Sequence, residues 1–179
     1  MWVIVAMATT AHADPVPAKN QALLLLRILA YDHNLKTRVD SKTATIVIVF
    51  KGDADDVASE LSGVIREIAK STTLSGRAIQ VARMSFNDKT FDADVAKLKA
   101  SAIYITPGLS DSISSITATS QARKLLSFCG TADFVASGVS VGFVLADGKP
   151  QILVNVPASR KEGADLDVAL LKAAKIVKK

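Results

Sequence analysis

Histidine, cysteine and aromatic residues are scarce in this chain, and each scarcity closes a route to chemistry. Of 179 residues, two are histidine and one is cysteine. His12 falls in a segment expected to be removed, so a Ser-His-Asp triad would have to use His33, and no serine sits in a G-x-S-x-G elbow to pair with it. Zinc would find only His33 and Cys129 as imidazole and thiol ligands. A single cysteine excludes an intrachain disulfide, so folding does not depend on oxidation. Aromatics are 5% of the chain, and the one tryptophan is Trp2. The core must therefore be built from Val, Ile, Leu and Ala, and no row of rings offers a platform for nucleic-acid bases. Glycine-rich phosphate loops are absent too: Gly52 stands alone after the first predicted strand. The most apolar stretch, residues 22–30, is interrupted by Arg27 and falls far short of the ~20 residues a bilayer requires.

What is present describes one ordered domain. Hydrophobic residues make up 49% and charged residues 22%, which excludes disorder, and the length suits a single core. Twenty-two Lys and Arg against 17 Asp and Glu give a net charge of +5, without a run of four basic residues, so nucleic acid is not an expected partner. Lys172, Lys175, Lys178 and Lys179 make a basic end that complements a helix macrodipole. At the other end, residues 1–8 are almost wholly apolar. Ala11, His12 and Ala13 form a small-x-small cleavage pattern, with Asp14 and Pro15 beyond. Residues 1–13 therefore read as the remnant of a secretory signal, with residues 14–179 as the exported domain. The positive n-region is missing, which suggests a true start further upstream. The alternative is a strand at residues 2–7 of a cytoplasmic protein.

Periodicity predicts α/β architecture. A helix at residues 20–31, buried through 23–26, Ile28 and Leu29, precedes the β-branched run 46–50, which suits a strand covered on both faces. Val57, Leu61, Val64, Ile65 and Ile68 give a helix at 55–70 one apolar face. Strands follow at 79–84 and 102–105, with a short helix at 92–99 between them. A Ser/Thr-rich helix at 111–126, anchored by Ile113, Ile116, Leu125 and Leu126, should be exposed. Three strand-helix units in a row predict a mostly parallel sheet flanked by helices. Strands at 139–145 and 151–156, joined through Asp147 and Gly148, predict an antiparallel hairpin at one edge. A helix at 164–177, with Leu166, Leu170, Ala173, Ala174 and Val177 inward, closes the fold.

Candidate site residues follow from this topology. A small-molecule site would lie outside the carboxyl ends of the parallel strands, where Lys51, Asn87, Thr106 and Ser110 offer an anion partner and hydrogen-bonding groups. Asp53, Asp55 and Asp56 read as helix-start residues, as do the pairs Asp92 and Asp94, and Asp165 and Asp167. Cys129, between Phe128 and Gly130, reads as a buried small hydrophobe. His33 reads as a polar residue in a helix-ending turn.

The order of motifs resembles the YfiR/HmsC family. Gly130, Thr131 and Phe134 precede Gly138. They are followed by the run 141–145, then Asp147, Gly148 and Lys149, the strand ending in Asn155, and the closing helix near 170–177. Ser75, Gly76 and Arg77 before the second strand fit, as do Gln21, Ala22 and Leu23 in the first helix. The resemblance implies a non-catalytic periplasmic regulator that binds and represses an inner-membrane diguanylate cyclase, or pairs with a sensor kinase, and so lowers cyclic-di-GMP and biofilm formation. Those repressors carry cysteine pairs, whereas Cys129 is alone. The exposed residues Asp111, Ser114, Ser115 and Thr119 are the expected partner-binding surface, and the hairpin edge is a second candidate surface, including for a homodimer. The competing function is a periplasmic domain that binds or senses a small molecule. No cofactor or metal is expected.

Overall fold

The β-branched run forms the middle of the sheet because both its faces are covered. In the computed structural model, which describes residues 15–39 and 42–177, strand β1 (Thr43–Phe50) has six consecutive buried residues. Ala44, Ile46 and Ile48 point to one hydrophobic cluster and Val47 and Val49 to the other, as the two-residue period of a strand requires. Before it come α1 (Ala18–Ala30) and α2 (Leu35–Arg38), and after it α3 (Asp55–Ala69), β2 (Thr73–Leu74), β3 (Arg77–Ser85), α4 (Phe91–Lys97) and β4 (Ala100–Ile105). The second half holds α5 (Ile113–Arg123), β5 (Leu126–Cys129), α6 (Ala132–Ala136), β6 (Val141–Ala146), β7 (Lys149–Val154), α7 (Val156–Lys161), α8 (Val168–Ala173) and β8 (Lys175–Ile176). The strands form one sheet in the order β2-β3-β1-β4-β5-β6-β7-β8. From β3 to β6 neighbouring strands are parallel; β2 on β3 and β7 on β6 are antiparallel.

The single α/β domain with a mostly parallel sheet is as the sequence predicts. The hairpin is there as well: Asp147 and Gly148 have φ of 50° and 72°, the paired left-handed turn that matches strand twist. It stands at one edge, with the two-residue β8 added outside β7.

Several expectations require correction. The Ser/Thr-rich helix ends at Arg123, not 126, because Lys124 turns left-handed at φ 57°. Leu126 then begins strand β5, so Leu125 and Leu126 are buried outside the helix and do not anchor it. Nor is α5 simply exposed: Ile113, Ile116, Thr117 and Ser120 form a buried face, two of them polar. Leu23 and Val57, expected inward, are 47% and 41% exposed, since each lies on the outer face of its helix. The closing helix is only α8. Its start is capped by Asp167, whose carboxylate accepts the Ala169 N–H at 2.7 Å, and Ala174 is extended and leads into β8, leaving Ala173 exposed. The signal-like residues 1–13, together with Lys178 and Lys179, lie outside the described residues.

One buried polar contact fixes α1 to the sheet. Gln21 donates from Nε2 to the Val16 carbonyl at 2.6 Å and accepts the Tyr104 hydroxyl on its Oε1. A Cβ at position 130 would stand 3.0 Å from that hydroxyl, which explains Gly130.

Candidate functional site

The carboxyl ends of β1, β3 and β4 are held in step by their own backbone. Phe86 N–H donates to the Phe50 carbonyl at 2.7 Å and Thr106 N–H to the Val49 carbonyl at 3.0 Å, so the loops carrying Lys51, Asn87 and Thr106 leave the sheet side by side. Lys51, Asn87 and Ser110 are exposed. Thr106 is fully buried and its hydroxyl donates to the Val49 carbonyl at 3.1 Å, so it serves the sheet. Asn87 accepts the Lys89 N–H on Oδ1 at 3.0 Å, shaping the turn into α4. Helix α5 starts at this same end. Its Ser115 hydroxyl donates to Asp88 at 2.5 Å, which joins the α5 surface to the β3 loop. Asp111 and Ser114 are exposed, and Thr119 is half-buried further along the helix. Lys51, Asn87 and Ser110 therefore lie exposed at the end of the sheet where α5 begins, with Asp111 just before it and Ser114 and Ser115 in its first turn, while Thr106 is turned inward.

The acidic residues have local partners. Asp55 and Asp56 lie in the first turn of α3, and Asp55 pairs with Arg83 at 2.9 Å; the side chain of Asp53 lies outside the described residues. Asp92 is gripped by two Arg123 nitrogens at 2.6 and 2.5 Å, and that hydrogen bonding holds its carboxyl below the usual range. His33 sits in the turn after α1, 3.6 Å from Asp165 and 3.2 Å from Asp167. Among the described residues no three His, Cys, Asp or Glu converge as metal ligands.

Cys129 is fully buried in β5, and burial pushes its thiol up to about 12. Because the thiolate is the reactive species, a thiol reagent at neutral pH should label it at least about 100-fold more slowly in the folded than in the unfolded chain. A stopped-flow measurement with a chromogenic disulfide tests this, and comparable rates in the two states would show an accessible thiol.

Glu162 escaped the sequence reading. It follows α7 and is fully buried, yet no cation lies within ion-pair distance among the described residues. Oε1 accepts hydroxyls from Ser120 and Ser127, both at 2.6 Å; Oε2 accepts the Ser127 N–H at 2.8 Å and the Ser140 hydroxyl. These donors come from α5, β5 and the residue before β6, so the carboxyl group ties three elements to α7 at the amino end of the sheet. Burial pushes its pKa up, against the downward pull of the four hydrogen bonds. Nothing in the local pattern around residue 162 marks it; only the separated serines, brought together by the fold, do.

The sequence profile of the YfiR/HmsC-like family matches residues 18–175. The chain belongs to this family. YfiR/HmsC-like proteins are periplasmic regulators in general, and no helix among the described residues of this member is long and apolar enough to cross a membrane. No curated protein sequence matches the chain. Similar solved structures include a conserved domain protein from Vibrio cholerae (TM-score 0.64, 14% identity) and an ABC domain in complex with L-Trp from Streptococcus pneumonia (0.65, 12%). A third is a ligand-free, open substrate binding protein with adhesive properties from Clostridium difficile (0.64, 13%). They cover 90%, 90% and 93% of this chain, which in turn spans 60%, 60% and 62% of theirs. At such identities the likeness is one of fold alone. For a YfiR/HmsC-like protein, it places the polar carboxyl end on a scaffold that other proteins share.

Proposed function

We propose that this YfiR/HmsC-like protein is a non-catalytic periplasmic regulator that binds an inner-membrane signalling protein, a diguanylate cyclase or a sensor kinase, and represses it. Family membership across residues 18–175 is the observation that carries this reading. The polar surface at the carboxyl end supplies the means: Asp111 and Ser114 are exposed at the start of α5 and Thr119 is half-exposed, while the Ser115–Asp88 hydrogen bond ties this surface to the loop after β3. Surface polar changes there should leave stability within ~0.5 kcal/mol. Joint replacement of Asp111, Ser114 and Thr119 by alanine should therefore lower partner recovery from gently cross-linked envelopes without altering the melting temperature. A membrane cyclase or kinase recovered equally with wild type and variant would place the contact elsewhere. Recovery of no signalling protein with either would oppose the regulator reading.

A second reading has one observation in its favour. Two of the similar folds are described as an L-Trp complex and a substrate binding protein. On that reading Lys51, Asn87 and Ser110 would meet a small polar ligand, with Thr106 holding the loop from within. A ligand-induced rise in melting temperature that vanishes on Lys51→Ala and Asn87→Ala would favour it over the first.

A further inference from the structure

Among the described residues, the long bare edge of the sheet is β3, opposite the hairpin. β3 runs for nine residues, but β2 covers only Arg77 and Ala78. Ala78 N–H donates to the Lys42 carbonyl and Phe86 N–H to that of Phe50, so the even-numbered residues turn their peptide groups toward β1. Val81, Arg83 and Ser85, beyond the reach of β2, must turn theirs the other way, where no strand among the described residues pairs with them. Three N–H and three C=O groups thus line an edge spanning about 13 Å at ~3.3 Å per residue. Edges of this kind are usually blunted by proline, a bulge or a covering segment. Residues 79–85 contain no proline, and the pairing of β3 with β1 is regular throughout.

Side chains beside this edge select what can use it. A depression of about 370 Å³ lies between the edge and the end of α3, lined by Arg66, Ala69, Lys70, Ile79, Gln80 and Val81. Its floor is apolar and its rim is cationic, with Arg83 further along the strand. Lys70 pairs with Glu67 at 2.5 Å and Arg83 with Asp55 at 2.9 Å, whereas Arg66 reaches only the Ser62 hydroxyl, at 3.4 Å, and has no carboxylate partner among the described residues. A second copy of this chain paired edge to edge would bring the same cations together, which is unfavourable. We propose that the β3 edge receives an extended acidic segment of another protein, which adds a strand to the sheet: its main chain meets Val81, Arg83 and Ser85, and a carboxylate reaches Arg66 and Lys70. This does not depend on what the carboxyl-end surface of α5 binds.

The test uses the full chain and a fluorescein-labelled peptide of about ten residues alternating Glu and Val, with an alternating Lys and Val peptide as its counterpart. Fluorescence anisotropy at low salt should show the acidic peptide binding at least about tenfold more tightly than the basic one. Val81→Pro removes an outward N–H and should weaken binding about tenfold, and Arg66→Glu with Lys70→Glu, a surface change that leaves the strand intact, should do the same. Hydrogen exchange should slow at the amides of Val81, Arg83 and Ser85 when peptide is added. Equal binding of the two peptides, undiminished binding by the charge-reversed variant, or slowing only at other amides would overturn the proposal. So would sedimentation showing a concentration-dependent dimer that Val81→Pro dissolves.

Discussion

Replacing Glu162 with alanine should destabilise the fold by about 3 kcal/mol or more, whereas glutamine should be tolerated. Alanine removes the acceptor for four donors at a site without solvent access. The Ser120 hydroxyl can fall back on the Thr117 carbonyl, 3.0 Å away, but the Ser127 N–H cannot turn and is left buried without a partner. Glutamine fits if its oxygen takes the position of Oε2, accepting Ser127 N–H and the Ser140 hydroxyl. Its NH₂ group then donates to the Ser120 and Ser127 hydroxyls, which can rotate to accept. The two variants also differ from wild type in pH dependence. Burial raises the Glu162 pKa in the folded state above the ordinary glutamate value, so between those two values the folded chain holds the proton that the unfolded chain has lost. The contribution of this group to stability is therefore full below the ordinary value, and is lost as pH rises through the folded one. The slope is at most about 1.4 kcal/mol per pH unit. Glutamine carries no such proton, so the difference in unfolding free energy between wild type and Glu162→Gln should drift in favour of Gln as pH rises from about 4.3. Urea denaturation of both proteins across pH 4 to 8 measures it; a difference that stays constant, or moves toward wild type, would show that the four donors outweigh burial.

How much of this could be read in advance depended on whether a residue's role was local. The run 46–50 announced a central strand because its composition has one physical solution, burial on both faces. Asp147 and Gly148 announced their turn because the required backbone angles favour those residue types. β5 was hidden: it is four residues long, carries Ser127 in its middle, and follows helix residues without an intervening Gly or Pro. Ser120 helped to make α5 look solvated, when it points at Glu162, as Ser127 of β5 does. At the candidate surface, sequence order placed Lys51, Asn87, Thr106 and Ser110 at the strand ends, and marked the α5 residues only as exposed. It could not show that Ser115 bonds to Asp88, nor that the Thr106 hydroxyl is turned inward. Hydrophobic patterns report which face is buried, whereas partners 27 or 57 residues apart are a property of the assembled chain.

The second large effect concerns Asp32 and the ion pair it makes with Arg38. Both side chains are withdrawn from water, at 0% and 8% exposure. Asp32 Oδ1 also accepts N–H groups from Asn34 at 3.1 Å and Asp165 at 2.9 Å, while Arg38 donates onward to the Lys124 carbonyl at 2.7 Å. One carboxylate thus links the end of α1 with the segment before α8, and through Arg38 with the end of α5. Asp32→Ala leaves a guanidinium buried without its counter-charge and two N–H groups without an acceptor, and should cost about 3–5 kcal/mol. Removing both charges should hurt less than removing one. In Asp32→Ala with Arg38→Met the uncompensated cation is gone and its aliphatic volume is kept, so the double variant should recover about 1–3 kcal/mol relative to Asp32→Ala alone. The loss should also be local before it is global. Hydrogen exchange in Asp32→Ala should rise first at the amides of His33 and Asp165, whose mutual backbone contact, 2.9 Å from His33 N–H to the Asp165 carbonyl, closes the same junction. Asp32→Asn separates the two causes, because its amide oxygen still serves Asn34 and Asp165 while the charge is absent. Stability close to that of Asp32→Ala would assign the effect to the ion pair, and stability close to wild type would assign it to the backbone hydrogen bonds.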